Sequence, residues 1–156
     1  MDIVLDTVDL QILDLMQANA RISNADIARE INMAPSAVLE RVKKLEQKKV
    51  ILQYNTAIDP GAVQQKLLAF IFIKSKEGFT CSSETAQLLS KIPEVQEVHH
   101  IAGEDCFLVK VRTTDSASLM HLMRNSLQKI PNILSTKTTI VLETVKEQQQ
   151  LVIPKK

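Results

Sequence analysis

The chain has 156 residues, 45% of them hydrophobic and 24% charged, with a formal net charge of +1. That size and balance suit one medium domain or two small ones with a real core, and exclude a disordered, collagen-like or linker-like chain. The longest near-apolar run, residues 67–73, is seven residues long, against the about 20 that a membrane-spanning helix requires, so no membrane partner is expected. Residues 1–9 carry three Asp and no basic residue, which is unlike a secretion signal. Two cysteines, Cys81 and Cys106, make no disulfide framework, and a reducing, cytoplasmic location is expected. With no Trp and one Tyr, stacking of bases on aromatic platforms is a poor route to nucleic acid.

Residues 1–60 hold seven basic and nine acidic side chains, yet five of the basic ones fall between positions 41 and 49 beside a single acid, Glu46. Asp6 is placed to cap a first helix, with Asp9 three residues on. Val8, Ile12, Leu15 and Met16 follow on one helical face, and Asn19 and Ala20 break the pattern. Ser23 opens a second helix with Asp26 at the third position, a capping box with Asp in place of Glu. Ile27, Ala28 and Ile31 give this helix a short apolar stripe. Asn32 then suits the left-handed conformation of a tight turn, and Pro35 suits the first position of a third helix. On that helix Val38, Val42 and Leu45 share one face, while Ser36, Glu40, Lys43, Lys44 and Gln47 point the other way. A charge run alone is usually a solvated helix face. Here it lies on the second helix of a helix-turn-helix, the element sized for the DNA major groove.

Leu5, Asp6, Asp9, Ile12, Leu13, Ala20, Arg21, Ile22, Ser23, Asn24, Ile27, Ala28, Pro35, Ser36, Ala37, Val38, Arg41, Val42, Lys43, Lys44, Leu45, Glu46, Val50 and Ile51 together resemble the Lrp/AsnC family of bacterial and archaeal transcription regulators. The match runs without gaps. Four positions depart from the family's habit: Ala34 stands for Ser, Asn32 for Gly, Glu40 for a basic residue and Lys49 for Gly. Arg41, Lys43 and Lys44 are expected on phosphates, and Ser36 and Ala37 on base edges or thymine methyls. Ser23 and Asn24 open the second helix, where backbone N–H groups can meet a phosphate. Glu40 is either an i, i+4 partner of Lys44 or an acceptor for cytosine N4.

Residues 50–57 read as a short extended hinge, and Asp59, Pro60 and Gly61 as a turn. The expected division is a helix-turn-helix domain with hinge at 1–57, a linker at 58–65 and a second domain at 66–156. Strands are expected at 66–74, 95–101, 106–113 and 135–145, and helices at 82–91 and 115–129. The order βαββαβ makes the whole an α+β protein, a winged or three-helix helix-turn-helix domain followed by a ferredoxin-like domain with two helices on one sheet face. Residues 66–74 are too apolar for a central strand open to water, so the other sheet face is expected to meet a second copy of the chain.

The resemblance continues more loosely through residues 98–111 and 138–146, which look like the family's regulatory domain. It implies a homodimer assembling into a tetramer or octamer, and a small effector, often an amino acid, bound between dimers near a glycine loop. On this chain the implied effector residues are Gly103, Glu104, Asp105 and Cys106, with Thr138 and Thr139 from the last strand. Many members have Asp where Cys106 stands.

Neither a cofactor nor a metal is expected. His99 and His100 alternate faces of a strand, and no CxxC or HExxH spacing joins them to Cys106. No Walker loop, GxGxxG or GxSxG is present. Cys81 sits near a helix start, where a thiol pKa can fall. Sirohaem decarboxylases have a similar two-part architecture, with His99, His100 and Arg112 as the corresponding candidates here, but an enzyme of that kind has no need of the basic helix. An effector-binding assembly protein without DNA binding is opposed by the same helix. The sequence therefore points to a non-enzymatic, sequence-specific regulator of double-stranded DNA, reading half-sites about one helical turn (~34 Å) or a multiple apart.

Overall fold

A computed structural model describes residues 4–76 and 83–154. The chain forms two compact units, one from the residues up to Ala57 with those from Lys146 on, the other Ile58–Val145.

The first unit is a three-helix cluster whose ends are written in its caps. Asp6 Oδ1 accepts from Asp9 N at 2.8 Å and Asp9 Oδ2 from Asp6 N at 3.3 Å, a reciprocal box that starts α1 (Thr7–Ala18). Ser23 Oγ accepts from Asp26 N at 3.1 Å and starts α2 (Asn24–Glu30). Ala34 supplies no such bond, and α3 (Pro35–Gln47) begins instead on Pro35, whose missing N–H is one of the helix's unbonded donors in any case. Ile12, Ile27, Ala28, Val38, Val42 and Leu45 form the core.

Two left-handed residues close the helices. Asn32 has φ 54° and lets Met33 N reach back to Ala28 O at 2.9 Å, which makes the tight turn before α3. Lys49 has φ 55°, with Val50 N on Leu45 O and Lys49 N on Glu46 O, both 2.9 Å. This paired pattern favours glycine at the left-handed position, so Lys49 carries the strain of a Cβ there. Lys49→Gly is expected to stabilise the protein by about 0.5–1 kcal/mol, the left-handed penalty less glycine's entropy cost. A lowered thermal midpoint would contradict that origin.

The far end of the chain packs with the helical unit. Gln17 holds the tail: its Nε2 donates to Leu151 O at 2.6 Å, its Oε1 accepts from Leu151 N at 3.0 Å, and its carbonyl accepts from Gln150 Nε2 at 3.1 Å. Residues from Lys146 on thus join the helical unit. The segment 58–65 contains the turn expected at Asp59, Pro60 and Gly61. Asp59 accepts from Gly61 N at 3.0 Å and Ala62 N at 3.1 Å, and Pro60 O accepts from Gln65 N at 2.8 Å.

The second unit runs β1 (Leu67–Ser75), α4 (Ser83–Ser90), β2 (Val95–His100), β3 (Phe107–Thr113), α5 (Ser116–Asn125), a 3-10 turn (Leu127–Lys129) and β4 (Ile133–Ile140). The sheet is antiparallel in the order β2-β3-β1-β4. This is the expected ferredoxin-like arrangement, with the apolar β1 at its centre. Ala69, Ile71, Ile73, Phe107, Val109 and Val111 turn inward and pack with Leu89, Leu119, Leu122 and Leu127. Two elements differ from the sequence reading by more than one residue at an end. The helix expected to Lys129 ends at Asn125 and tightens into the 3-10 turn. The last strand runs 133–140 and not 135–145, because among the described strands β1 alone pairs with it: Ile140 pairs with Ala69, and Val141 N makes a last bond to Leu68 O at 2.9 Å.

Candidate nucleic-acid interface and effector loop

Helix α3 has 13 residues, about 20 Å of helix. With Val38, Val42 and Leu45 buried, it turns Ser36, Glu40, Lys43, Lys44 and Gln47 outward, all exposed, with Ala37 half-buried at the margin. Among the described residues Glu40 forms no ion pair with Lys44, and neither Lys43 nor Lys44 is held by a carboxylate. The face therefore presents two lysines that are unengaged within the described chain. Leu39, exposed on the same helix, escaped the sequence reading because its position on the flank of the wheel looks like core.

Arg41 has other partners. Its Nη1 donates to Asp6 Oδ2 and to Asp9 Oδ1, each at 2.7 Å, and its side chain is about two-thirds buried, as 32% exposure shows. The guanidinium expected on a phosphate is instead committed to the cap of α1. No local sequence signal could reveal this, because the partners lie 35 and 32 residues away. The bond from Asp9 N, followed by that from Arg41, holds the Asp6 carboxyl below its usual pKa. Asp6 and Asp9 together raise Arg41 above its usual value. A carboxyl whose pKa is lower in the folded chain stabilises the fold above the unfolded pKa and loses that contribution as pH falls through the folded one. Asp6, Asp26, Glu97 and Asp115 all shift in this direction. The thermal midpoint is therefore expected to be level above about pH 5 and to fall below about pH 4. A midpoint unchanged down to pH 3 would rule these bonds out as contributors.

Ser23 and Asn24 stand at the start of α2 as expected, but the Ser23 hydroxyl is occupied, donating to Asp26 Oδ2 at 2.6 Å. Asp26, also paired with Arg29, puts a negative charge in the first turn. That charge opposes a phosphate at this helix end.

In the second unit, residues 101–106 join β2 to β3. Ile101 N donates to Cys106 O at 2.9 Å, and Cys106 N donates to Ile73 O at 2.8 Å. Gly103 has no left-handed φ, and among the described residues a Cβ there would meet nothing within 4 Å. Neither its backbone conformation nor its packing among the described residues demands glycine. Glu104 is exposed and Asp105 half-buried, and neither forms an ion pair among the described residues. Cys106 is 5% exposed, packs in the core and is disulfide-bonded. Its side chain turns into the core and does not line the loop. Cys81 lies outside the described residues.

Thr138 and Thr139 fall on opposite faces of β4. Thr138 Oγ1 donates to Met123 Sδ at 3.6 Å on the helix side, while Thr139 is exposed and pairs with Phe70 on the outer side. β4 and β2 are the two edges of the sheet, roughly 14 Å apart at strand spacing. Within one chain these threonines and the 101–106 loop do not form one pocket.

The outer sheet face carries Leu68, Phe70, Phe72 and Leu108. The Lys137 ammonium stands 4.8 Å from the centroid of the Phe72 ring. Glu97 accepts from Lys110 Nζ at 3.1 Å and shares a 2.9 Å bond with His99 Nε2. The His99 bond, then Lys110, holds its carboxyl below the usual range. His100 turns to the other side, against Phe107, so the two histidines do not converge. Among the described residues no three His, Cys, Asp or Glu gather as metal ligands, and no helix is long and apolar enough to cross a membrane.

A helix-turn-helix unit joined to a ferredoxin-like unit defines a regulator with separate reading and sensing parts. The profile described as the AsnC-type helix-turn-helix domain matches residues 5–46, and that described as the Lrp/AsnC ligand binding domain matches 68–151. The chain belongs to the Lrp/AsnC family, and it is a DNA-binding transcription regulator. It is 33% identical to the leucine-responsive regulatory protein of Haemophilus influenzae over 150 residues, which covers 96% of this chain and 90% of that one. Against the protein of the same name from Escherichia coli K12 the identity is 32%, with 96% and 92% covered. Among solved structures, a transcriptional regulator from Neisseria meningitidis in complex with L-Met matches at a TM-score of 0.88 and 27% identity, covering 96% of this chain and 97% of that one. A feast or famine regulatory protein from M. tuberculosis complexed with L-methionine also matches at 0.88, with 28% identity and 97% and 100% covered.

Proposed function

We propose that α3 lies in the major groove, with Lys43 and Lys44 on phosphates and Ser36, Ala37 and Glu40 over base edges. The observation that carries this reading is the outward face of α3, where both lysines are exposed and, among the described residues, without a carboxylate partner. Such a face attracts the backbone and leaves short side chains near the helix start to read bases. Ser23 and Asn24 have a lesser part, because Asp26 weakens the phosphate site there.

The apolar outer sheet face supports a homodimer, and further assembly to a tetramer or octamer would set the spacing of the heads. Gly103, with nothing of the described chain against it, supports an effector or a neighbouring copy close to the 101–106 loop. Glu104 and Asp105 offer carboxylates to an ammonium, and Thr138 or Thr139 would come from another copy. The L-methionine held by two relatives supports an amino acid as the effector class. We read the protein as a cytoplasmic binding protein and not as an enzyme, since its relatives are regulators and His99 and His100 diverge.

Capture of sheared genomic DNA by the purified protein, with and without a pool of the twenty amino acids, tests this. A few enriched palindromic sites, shifted by the pool, are expected. No enrichment in either condition would overturn the reading.

A further inference from the structure

We infer that Arg41 is a positioning residue: through Asp6 and Asp9 it pins α3 to the cap of α1, and so sets how the reading face meets base edges. The inference rests on the DNA-binding reading above and adds what fixes the helix. Arg41 is the seventh of the 13 residues of α3, so the bonds act at the helix middle, and Asp9 is only 17% exposed. The core that seats α3 is apolar, from Ile12, Ile27, Val38, Val42 and Leu45. Apolar burial is strong but non-directional and tolerates rotation and sliding. Two charge-assisted hydrogen bonds from Arg41 Nη1 to separate carboxylates are directional. Those carboxylates are themselves fixed, because they form the reciprocal cap of α1. One planar group thus relates the start of the first helix to the centre of the third.

Non-specific binding needs only phosphate contacts and tolerates small misorientation, whereas base readout does not. The pin should therefore matter for discrimination more than for attraction. Asp9→Asn separates the possibilities by sign. It removes a negative charge from the DNA-binding unit and loosens Arg41, which keeps its bond to Asp6, so simple electrostatics predicts tighter binding to every duplex. Loss of a pin predicts weaker binding to the preferred duplex alone.

The probes are a duplex enriched by the wild-type protein from a random-sequence pool, and a scrambled duplex of the same composition. In Asp9→Asn the ratio of the two affinities is expected to fall roughly tenfold, comparable to one mismatched base pair. In Asp6→Asn, which keeps a capping side chain and weakens the other bond, at a carboxylate that is 52% exposed against 17% for Asp9, a smaller fall is expected. In Arg41→Met the salt slope should stay as in the wild type, whereas an arginine seated on a phosphate would, once removed, leave it shallower by about 1. Circular dichroism at the assay temperature establishes that each variant is folded, and Asp6→Asn serves if Asp9→Asn is not. An unchanged or raised ratio in the folded variants, or a shallower slope for Arg41→Met, overturns the inference. If the wild type itself enriches no sequence, the DNA-binding reading fails first.

Discussion

Replacing Lys43 and Lys44 together by Ala is expected to weaken DNA binding about a hundredfold near 0.1 M salt for each helix-turn-helix unit bound, with little dependence on sequence. The magnitude follows from counterion release. Each phosphate neutralised contributes about 0.9 to the slope of log affinity against log salt, and so roughly tenfold at 0.1 M relative to 1 M. With two phosphates per unit no longer neutralised, the slope should become shallower by about 2. Stability should hardly change, because both side chains are exposed and neither is bonded to a carboxylate among the described residues. Affinity measured at four or five salt concentrations gives both quantities. An unchanged slope with reduced affinity would move the phosphate contacts to other residues and leave α3 as a base reader only. Glu40→Lys is the complementary change. It restores the basic residue common in the family, and should steepen the slope while altering which sites are preferred.

The elements whose information is local were legible in the sequence. Asp6, Ser23 and Pro35 start the three helices because each satisfies or dispenses with a helix-end donor within three residues. Asn32 ends the second because only the left-handed region lets the chain turn there. The βαββαβ order could be read from alternating apolar runs, and the resemblance placed both domains. What could not be read was set at long range. Arg41 looks like any basic residue of a recognition helix until Asp6 and Asp9 arrive from the far end of the unit. Residues 141–145 read as the end of the last strand, yet among the described residues the pairing with β1 stops at Val141 N on Leu68 O, and further on Gln17 makes two hydrogen bonds to Leu151. Thr138 and Thr139 are neighbours in sequence, but a strand sends them to opposite faces. Gly103 is the glycine of the implied effector loop. Within the described chain nothing approaches it, which points to a ligand or another copy as the reason for glycine.

Phe107→Ala should be the most damaging single truncation in the second unit, at about 3–5 kcal/mol. Phe107 is the largest of the fully buried side chains, 2% exposed, with its ring centroid 5.4 Å from that of His100. It sits where β3 begins, immediately after the 101–106 loop, and pairs with Ile73 across β1. Removing the ring leaves a cavity in the core of the second unit that its neighbours cannot fill without moving the strands and helices they stand on. The loss is a large part of the about 5–15 kcal/mol that a domain usually has. The effect should be confined, because the helical core of Ile12, Ile27, Val38 and Leu45 shares no residue with this one. Hydrogen exchange is the appropriate measurement: faster exchange is expected at the amides of β1 and β3, with those of α1 and α3 unchanged. Phe107→Leu, which keeps most of the volume, should cost markedly less. Equal losses in the two variants would mean that the ring's packing on His100, and not the volume it fills, is what holds the start of β3 and the loop beside it.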